Sequence, residues 1–103
     1  MAFHLTHRYG SMNPGDSSTD FVALLRELDE RPGDTEHGSV TVTHESEWSV
    51  SVSRGGYVIL ENLETGGERH MDEVPTSKIL ELWRYVADGN IAAVEKEPWL
   101  PGY

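Results

Sequence analysis

The amino-acid sequence predicts an α+β fold, an antiparallel sheet of about four to five strands with two main helices packed on one face. Three observations carry this expectation. Short stretches around Val40, Val50 and Val58 show the two-residue period or apolar run of strands, and glycine-bearing turns divide them. Two other stretches keep apolar residues at i, i+3, i+4 and i+7, the stripe of an amphipathic helix. Consecutive strands bracketed by helices, rather than strict alternation of the two, favour an antiparallel sheet whose second face is left open.

The elements follow in chain order. Phe3, Leu5 and Tyr9 belong to a short extended N-terminal run, and Asn13-Pro14-Gly15-Asp16 reads as a turn. The first helix is expected over about residues 18–31. Ser17 or Ser18 would cap it, Ser17 with Asp20 forming a loose capping box, and Phe21, Leu24, Leu25 and Leu28 would form its buried stripe. Pro32-Gly33-Asp34 ends it. Val40 and Val42, set between Ser39, Thr41 and Thr43, read as a strand. His44-Glu45-Ser46-Glu47 is the connection to the next strand, Trp48 to Ser53. Arg54-Gly55-Gly56 is a turn, Tyr57 to Leu63 a strand, Thr65-Gly66-Gly67 a turn, and Arg69 to Val74 a last short edge strand.

The second helix is expected over about residues 76–88. Pro75 suits its first turn, Thr76 or Ser77 its cap, and Gly89 its end. Ile79, Leu82, Trp83 and Val86 make its stripe. Asn90 caps a further short turn, Ile91 to Glu95. The aromatic tail, Pro98-Trp99-Leu100-Pro101-Gly102-Tyr103, is expected to pack back on the domain.

At 103 residues the chain is read as one domain, 1–103. A chain of this size buries roughly 60–70% of its unfolded surface, enough for one modest core. Cysteine is absent, which excludes disulfides, thiolate metal sites and a cysteine nucleophile. The N-terminus lacks the basic and apolar regions of a signal peptide, and no apolar run approaches the roughly 18–20 residues of a membrane span. The expectation is a soluble, cytoplasmic protein.

The formal net charge is −10, from 18 acids and 8 bases. Residues 16–47 hold nine acids and two bases, and residues 61–73 hold five acids and one base. Such a field argues against nucleic acid or an anionic membrane as partner, since phosphates are bound by basic patches. It favours a basic partner and accelerates encounter with one. Acidity also serves solubility alone.

The hairpin Trp48–Glu61 poses the sharpest question. Trp48, Val50 and Val52 share one face, with Ser49, Ser51 and Ser53 on the other. With a two-residue turn at Gly55-Gly56, Val58 and Leu60 stand beside the serines. With a three-residue turn, Tyr57 and Ile59 do. Either register gives a face of small hydroxyls carrying two large apolar residues. A loop or the tail could cover it, a partner protein could dock on it, or it could be an ordinary surface.

Chemical motifs are missing. No HxxxH or HExxH spacing occurs on a helix, and Glu36-His37 and His44-Glu45 would lie roughly 20 Å apart on an extended strand of about 3.3 Å per residue. The histidines are read as surface and capping residues, with no metal and no cofactor. There is no GxSxG elbow, and neither Gly55-Gly56 nor Gly66-Gly67 leads a strand into a helix as a phosphate loop would. The expectation is a protein without catalysis. Trp48 and Trp83 fall at core positions, so packing is the first reading for both. Trp99 remains open.

Taken together, the capped first helix, Glu36-His37-Gly38-Ser39-Val40-Thr41-Val42, the WSVSVSRGGYVILENLE hairpin, the Pro75 helix and the EPWLPGY tail resemble the small, acidic, cytoplasmic α+β immunity proteins of bacterial polymorphic toxin systems. The resemblance covers most of the chain as architecture and texture, and it transfers no individual binding residue. It implies an inhibitor that binds one cognate toxin and blocks its active site. Many such toxins are basic nucleases, whose phosphate ligand an acidic inhibitor mimics.

The expected function is therefore a non-catalytic, immunity-type inhibitor of a basic protein. In this reading Glu45, Glu47, Glu61 and Glu64 supply charge, and Tyr57 with the Ser49 and Ser51 surface supplies contact area. The alternatives are a homodimeric structural or regulatory domain using the same face, and a small-molecule binder.

Overall fold

A computed structural model describes residues 2–8, 10–29 and 38–102. The chain forms strands β1 (Phe3–Thr6), β2 (Met12–Pro14), β3 (Ser39–His44), β4 (Trp48–Ser53), β5 (Tyr57–Asn62), β6 (Gly66–Met71) and β7 (Leu100–Pro101). Its helices are α1 (Phe21–Arg26), extended by a 3-10 turn at Glu27–Asp29, then α2 (Thr76–Ala87) and α3 (Ile91–Glu95). All seven strands join one antiparallel sheet in the order β2-β1-β3-β4-β5-β6-β7.

The α+β class stands, and the sheet has more strands than the four to five expected. The extra two are its edges. Met12–Pro14 pairs with β1 instead of forming a turn, because the reversal comes earlier. Gly10 takes φ +90° there, its amide bonds His7 O at 2.9 Å, and the His7 amide bonds Ser11 O at 2.8 Å. Leu100–Pro101 pairs with β6, so the tail does pack back. Both edges carry a proline, Pro14 and Pro101, which cannot donate to an added strand and so protects an edge from pairing with another chain.

The core lies between one sheet face and the helices. Val40, Val42, Val50, Val52, Val58 and Leu60 are fully buried with Leu24, Leu82, Trp83, Val86 and Val94. Burial of each such aliphatic side chain contributes about 1.5–3 kcal/mol. Trp83 ties the layers together. Its indole N–H donates to Val50 O at 3.0 Å, and its ring lies 6.1 Å from that of Phe21 in α1.

The helix boundaries differ from expectation at three points. Asp20 is the N-cap of α1, accepting from the Ala23 amide at 3.0 Å, while Ser18 bonds Asp16 in the preceding turn. α1 runs only from Phe21 to Arg26, and the expected terminator Pro32-Gly33-Asp34 lies outside the described residues. Pro75 is itself the N-cap of α2, without a side-chain cap bond. The other end of α2 follows expectation. Gly89, at φ +74°, donates to Val86 O at 3.0 Å while Asn90 donates to Tyr85 O at 2.8 Å, the paired bonds of a Schellman motif.

The end of the 3-10 turn is held by two arginines. Arg8 is buried, and its Nη1 donates to Glu27 O at 3.0 Å, with a longer contact to Leu28 O at 3.4 Å. Arg54, from the β4–β5 turn, donates to Leu28 O through Nε at 3.2 Å and Nη2 at 2.6 Å. These bonds satisfy carbonyls that a helix end leaves without intrahelical partners.

Candidate functional site

The β4–β5 hairpin adopts the three-residue turn. Ser53 pairs with Tyr57, Val52 with Val58, and Ser51 with Ile59. Gly56 suits this register. It sits at φ +82°, its carbonyl accepts from Val74 N at 3.0 Å, and a side chain there would strike the Val74 backbone. Val58 and Leu60 therefore enter the core, and Tyr57 and Ile59 stand on the serine face.

The helices pack on the opposite face, against Val40, Val42, Val50, Val52, Val58 and Leu60, and leave the serine face turned away from them. The serine face is read in rows across the strands. One row runs Thr6, Thr41, Ser51, Ile59, His70, Leu100. The row beside it contains His4, Thr43, Ser49 and Glu61. The centre is a floor of short hydroxyls that bond within the sheet. Thr41 Oγ1 and Ser51 Oγ lie 2.8 Å apart, and the Ser49 hydroxyl donates to Glu61 O at 3.4 Å. Ser49 is only 1% exposed, so it offers little contact area of its own. Ser51 is half-buried and more accessible.

On the β5–β7 side the floor rises into an aromatic and apolar patch. Tyr57 stacks on His70 with ring centroids 5.5 Å apart and an interplanar angle of 22°. His70 Nδ1 donates to Gly102 O at 2.9 Å, which fixes the imidazole from the other side. Ile59 is half-buried directly beside His70, and Leu100, paired across from His70, is 52% exposed.

The acids gather at one end of the sheet, where the β3–β4 and β5–β6 turns lie side by side. Glu45 Oε2 accepts from the Ala2 amide at 3.3 Å. The carbonyl of Glu47 accepts from Leu63 N at 2.9 Å, joining the two turns. Asn62 completes the junction. Its Oδ1 accepts from the amides of Glu64 and Thr65, both at 3.0 Å, and its Nδ2 donates to Ser46 O at 3.3 Å. Glu45, Glu47 and Glu64 are thereby presented together on exposed turns, with Glu61 on the adjoining face.

Of the residues singled out from sequence, Ser49, Ser51, Tyr57 and Glu61 share the serine face. Glu45, Glu47 and Glu64 border one end of it. His70, Ile59 and Leu100 complete the patch. Ile59 belongs to one of the two registers the sequence allows, and His70, expected only as a surface or capping histidine, is brought to Tyr57 by strand pairing.

Histidine placement brings one correction. His44 is not a surface residue of the connection. It ends β3, is 6% exposed, accepts from Ser46 N through Nδ1 at 3.1 Å, and leaves Nε2 buried without a hydrogen-bond partner. Among the described residues no group of three or more His, Asp or Glu side chains is placed to hold a metal ion. No helix among them is long and apolar enough to cross a membrane.

Comparison with known proteins adds no assignment: no family model, no curated protein and no solved structure matches the chain.

Proposed function

We propose that this chain is a non-catalytic protein-binding domain whose serine sheet face and adjoining acidic turns dock a basic partner, in the manner of an immunity-type inhibitor of a toxin acting in the cytoplasm. The observation that carries the reading is the juxtaposition on one surface of the Tyr57–His70–Leu100 patch and the Glu45, Glu47, Glu61 and Glu64 corner. An aromatic anchor beside a field of one sign is what a specific, electrostatically steered interface needs. The net charge of −10 supports a basic partner and works against self-association through the same surface. The proline-bearing edges leave the face, rather than strand addition, as the route to a partner.

Charge reversal tests this. Glu61→Lys with Glu64→Lys slows association with the partner and flattens its dependence on salt. An unchanged on-rate removes the electrostatic part of the proposal. Light scattering decides the homodimer alternative, since a stable dimer abolished by Tyr57→Ala would assign the face to a second copy of the chain.

A further inference from the structure

We infer that a groove at the β6–β7 edge is a second recognition point for the same partner, built to take an arginine or lysine side chain carried beside an apolar residue. The inference rests on the protein-binding reading above. The groove encloses about 470 Å³ between the end of β6, the start of α2 and the C-terminal tail. Met71 and Val74 form its apolar floor, and Pro98 and Leu100 its walls.

Its charged groups are unevenly matched. Lys78 is engaged by Glu97 at 3.1 Å and Glu81 at 3.4 Å, and the bond to Glu97 above all holds its pKa above the usual lysine value. Lys78 therefore stays a cation whose charge is already answered. Asp72 and Glu73 are exposed on the groove's rim, with no ion-pair or hydrogen-bond partner for either carboxylate among the described residues. The α2 N-terminus offsets only about half a charge of this excess.

An apolar floor under unmatched carboxylates selects for one kind of occupant. A bare, strongly hydrated cation gains nothing from the floor, and an anion is repelled. A long cationic side chain lays its methylenes on the floor and its charged head at the rim. The neighbouring apolar residue of the same segment rests on Leu100. Met71 pairs with Val58 on the helix side of the sheet, whereas Leu100, on the edge strand, pairs with His70 and also lines the groove, so a partner that wraps this edge reaches both.

The test titrates the isotope-labelled full chain with N-acetyl-Leu-Arg-amide, N-acetyl-Leu-citrulline-amide and benzylamine while following backbone amide shifts. The arginine peptide is expected to give saturable shifts confined to residues 71–74, 78 and 100, and the uncharged citrulline peptide to bind more weakly. Asp72→Asn with Glu73→Gln weakens the arginine peptide by about two- to fivefold, the range of one exposed charge pair, and Leu100→Ser weakens both peptides. Shifts spread over the acidic turns without saturation, or equal binding of the citrulline peptide, would overturn the inference. Benzylamine binding as tightly as the peptide would make the groove a small-molecule cation site instead. No partner protein is needed for the titration, so its failure is separable from failure of the sheet-face proposal, which the Tyr57 and Glu61 variants test.

Discussion

Tyr57 and His70 stack across β5 and β6 with their ring centroids 5.5 Å apart, and His70 is held from behind by Gly102 O. The pair is a pre-formed aromatic platform on the sheet face opposite the helices. Pre-organisation matters because a rigid aromatic anchor loses little conformational freedom on binding. Tyr57→Ala is expected to weaken the partner complex by about tenfold or more, mainly through faster dissociation. The cost to folding is that of one cross-strand pair, about 0.2–1 kcal/mol. Surface plasmon resonance and thermal denaturation of the same variant separate the two effects.

Asn62 is the structural support for the acidic corner. Its carboxamide makes three hydrogen bonds to the two turns, and it is 8% exposed. Asn62→Ala leaves the Glu64 and Thr65 amides without their acceptor and is expected to cost about 1–3 kcal/mol. Urea denaturation measures the loss. Partner association should slow as well, because the glutamates are no longer held together.

Glu47 adopts φ +75°, a left-handed conformation that costs a non-glycine residue about 1–2 kcal/mol. Glycine relieves that strain but gives back about 0.5–1 kcal/mol through unfolded-state entropy. Glu47→Gly should therefore raise stability slightly, by up to about 1 kcal/mol, while slowing association with a basic partner. A stabilised variant with an unchanged on-rate would show that the Glu47 charge has no part in binding.

His7 makes stability depend on pH. Its two ring nitrogens face Glu27 Oε2, at 2.7 Å, and Asn13 Oδ1, and only the imidazolium donates to both. The bond to Glu27, then that to Asn13, raises its pKa above the ordinary 6.5. The folded state therefore favours the proton. This contribution is fully present below pH 6.5, the unfolded value, and is lost as pH rises through the raised folded value. Melting temperatures of wild type and His7→Gln should differ most at acidic pH and converge above that window. An equal difference at pH 6 and pH 9 would contradict this.

Much of the fold was legible because local physics dictated it. The alternation of Val50 and Val52 with serines, the helical stripe of Ile79, Leu82, Trp83 and Val86, and Gly89 after it each say where they lie without help from the rest of the chain. What was not legible depended on contacts between distant segments. Gly55-Gly56 fits two hairpin registers equally well, and contacts from outside the hairpin accompany the one adopted, the approach of Val74 to Gly56 and the burial of Val58 and Leu60 in the core. β2 and β7 are two or three residues long and contain prolines, so their strand character comes wholly from the neighbour they pair with. Asp20 caps α1 in place of the expected serines, and Ser18 is instead bonded to Asp16 in the turn before it. The candidate site shows the same division. Its acids and Tyr57 could be named from the chain, whereas Asn62, His70 and Leu100 join it only through sheet pairing.

Partner binding through the sheet face and its acidic corner is tested by a comparative pull-down from lysate of the source cells, with the wild-type chain and the Tyr57→Ala, Glu61→Lys, Glu64→Lys triple variant as parallel baits at low and high salt. One basic protein is expected to be retained by the wild type at low salt, weakened at high salt, and not retained by the variant. Equal retention by both baits, or no captured protein alongside a wild-type dimer that the variant cannot form, would contradict it.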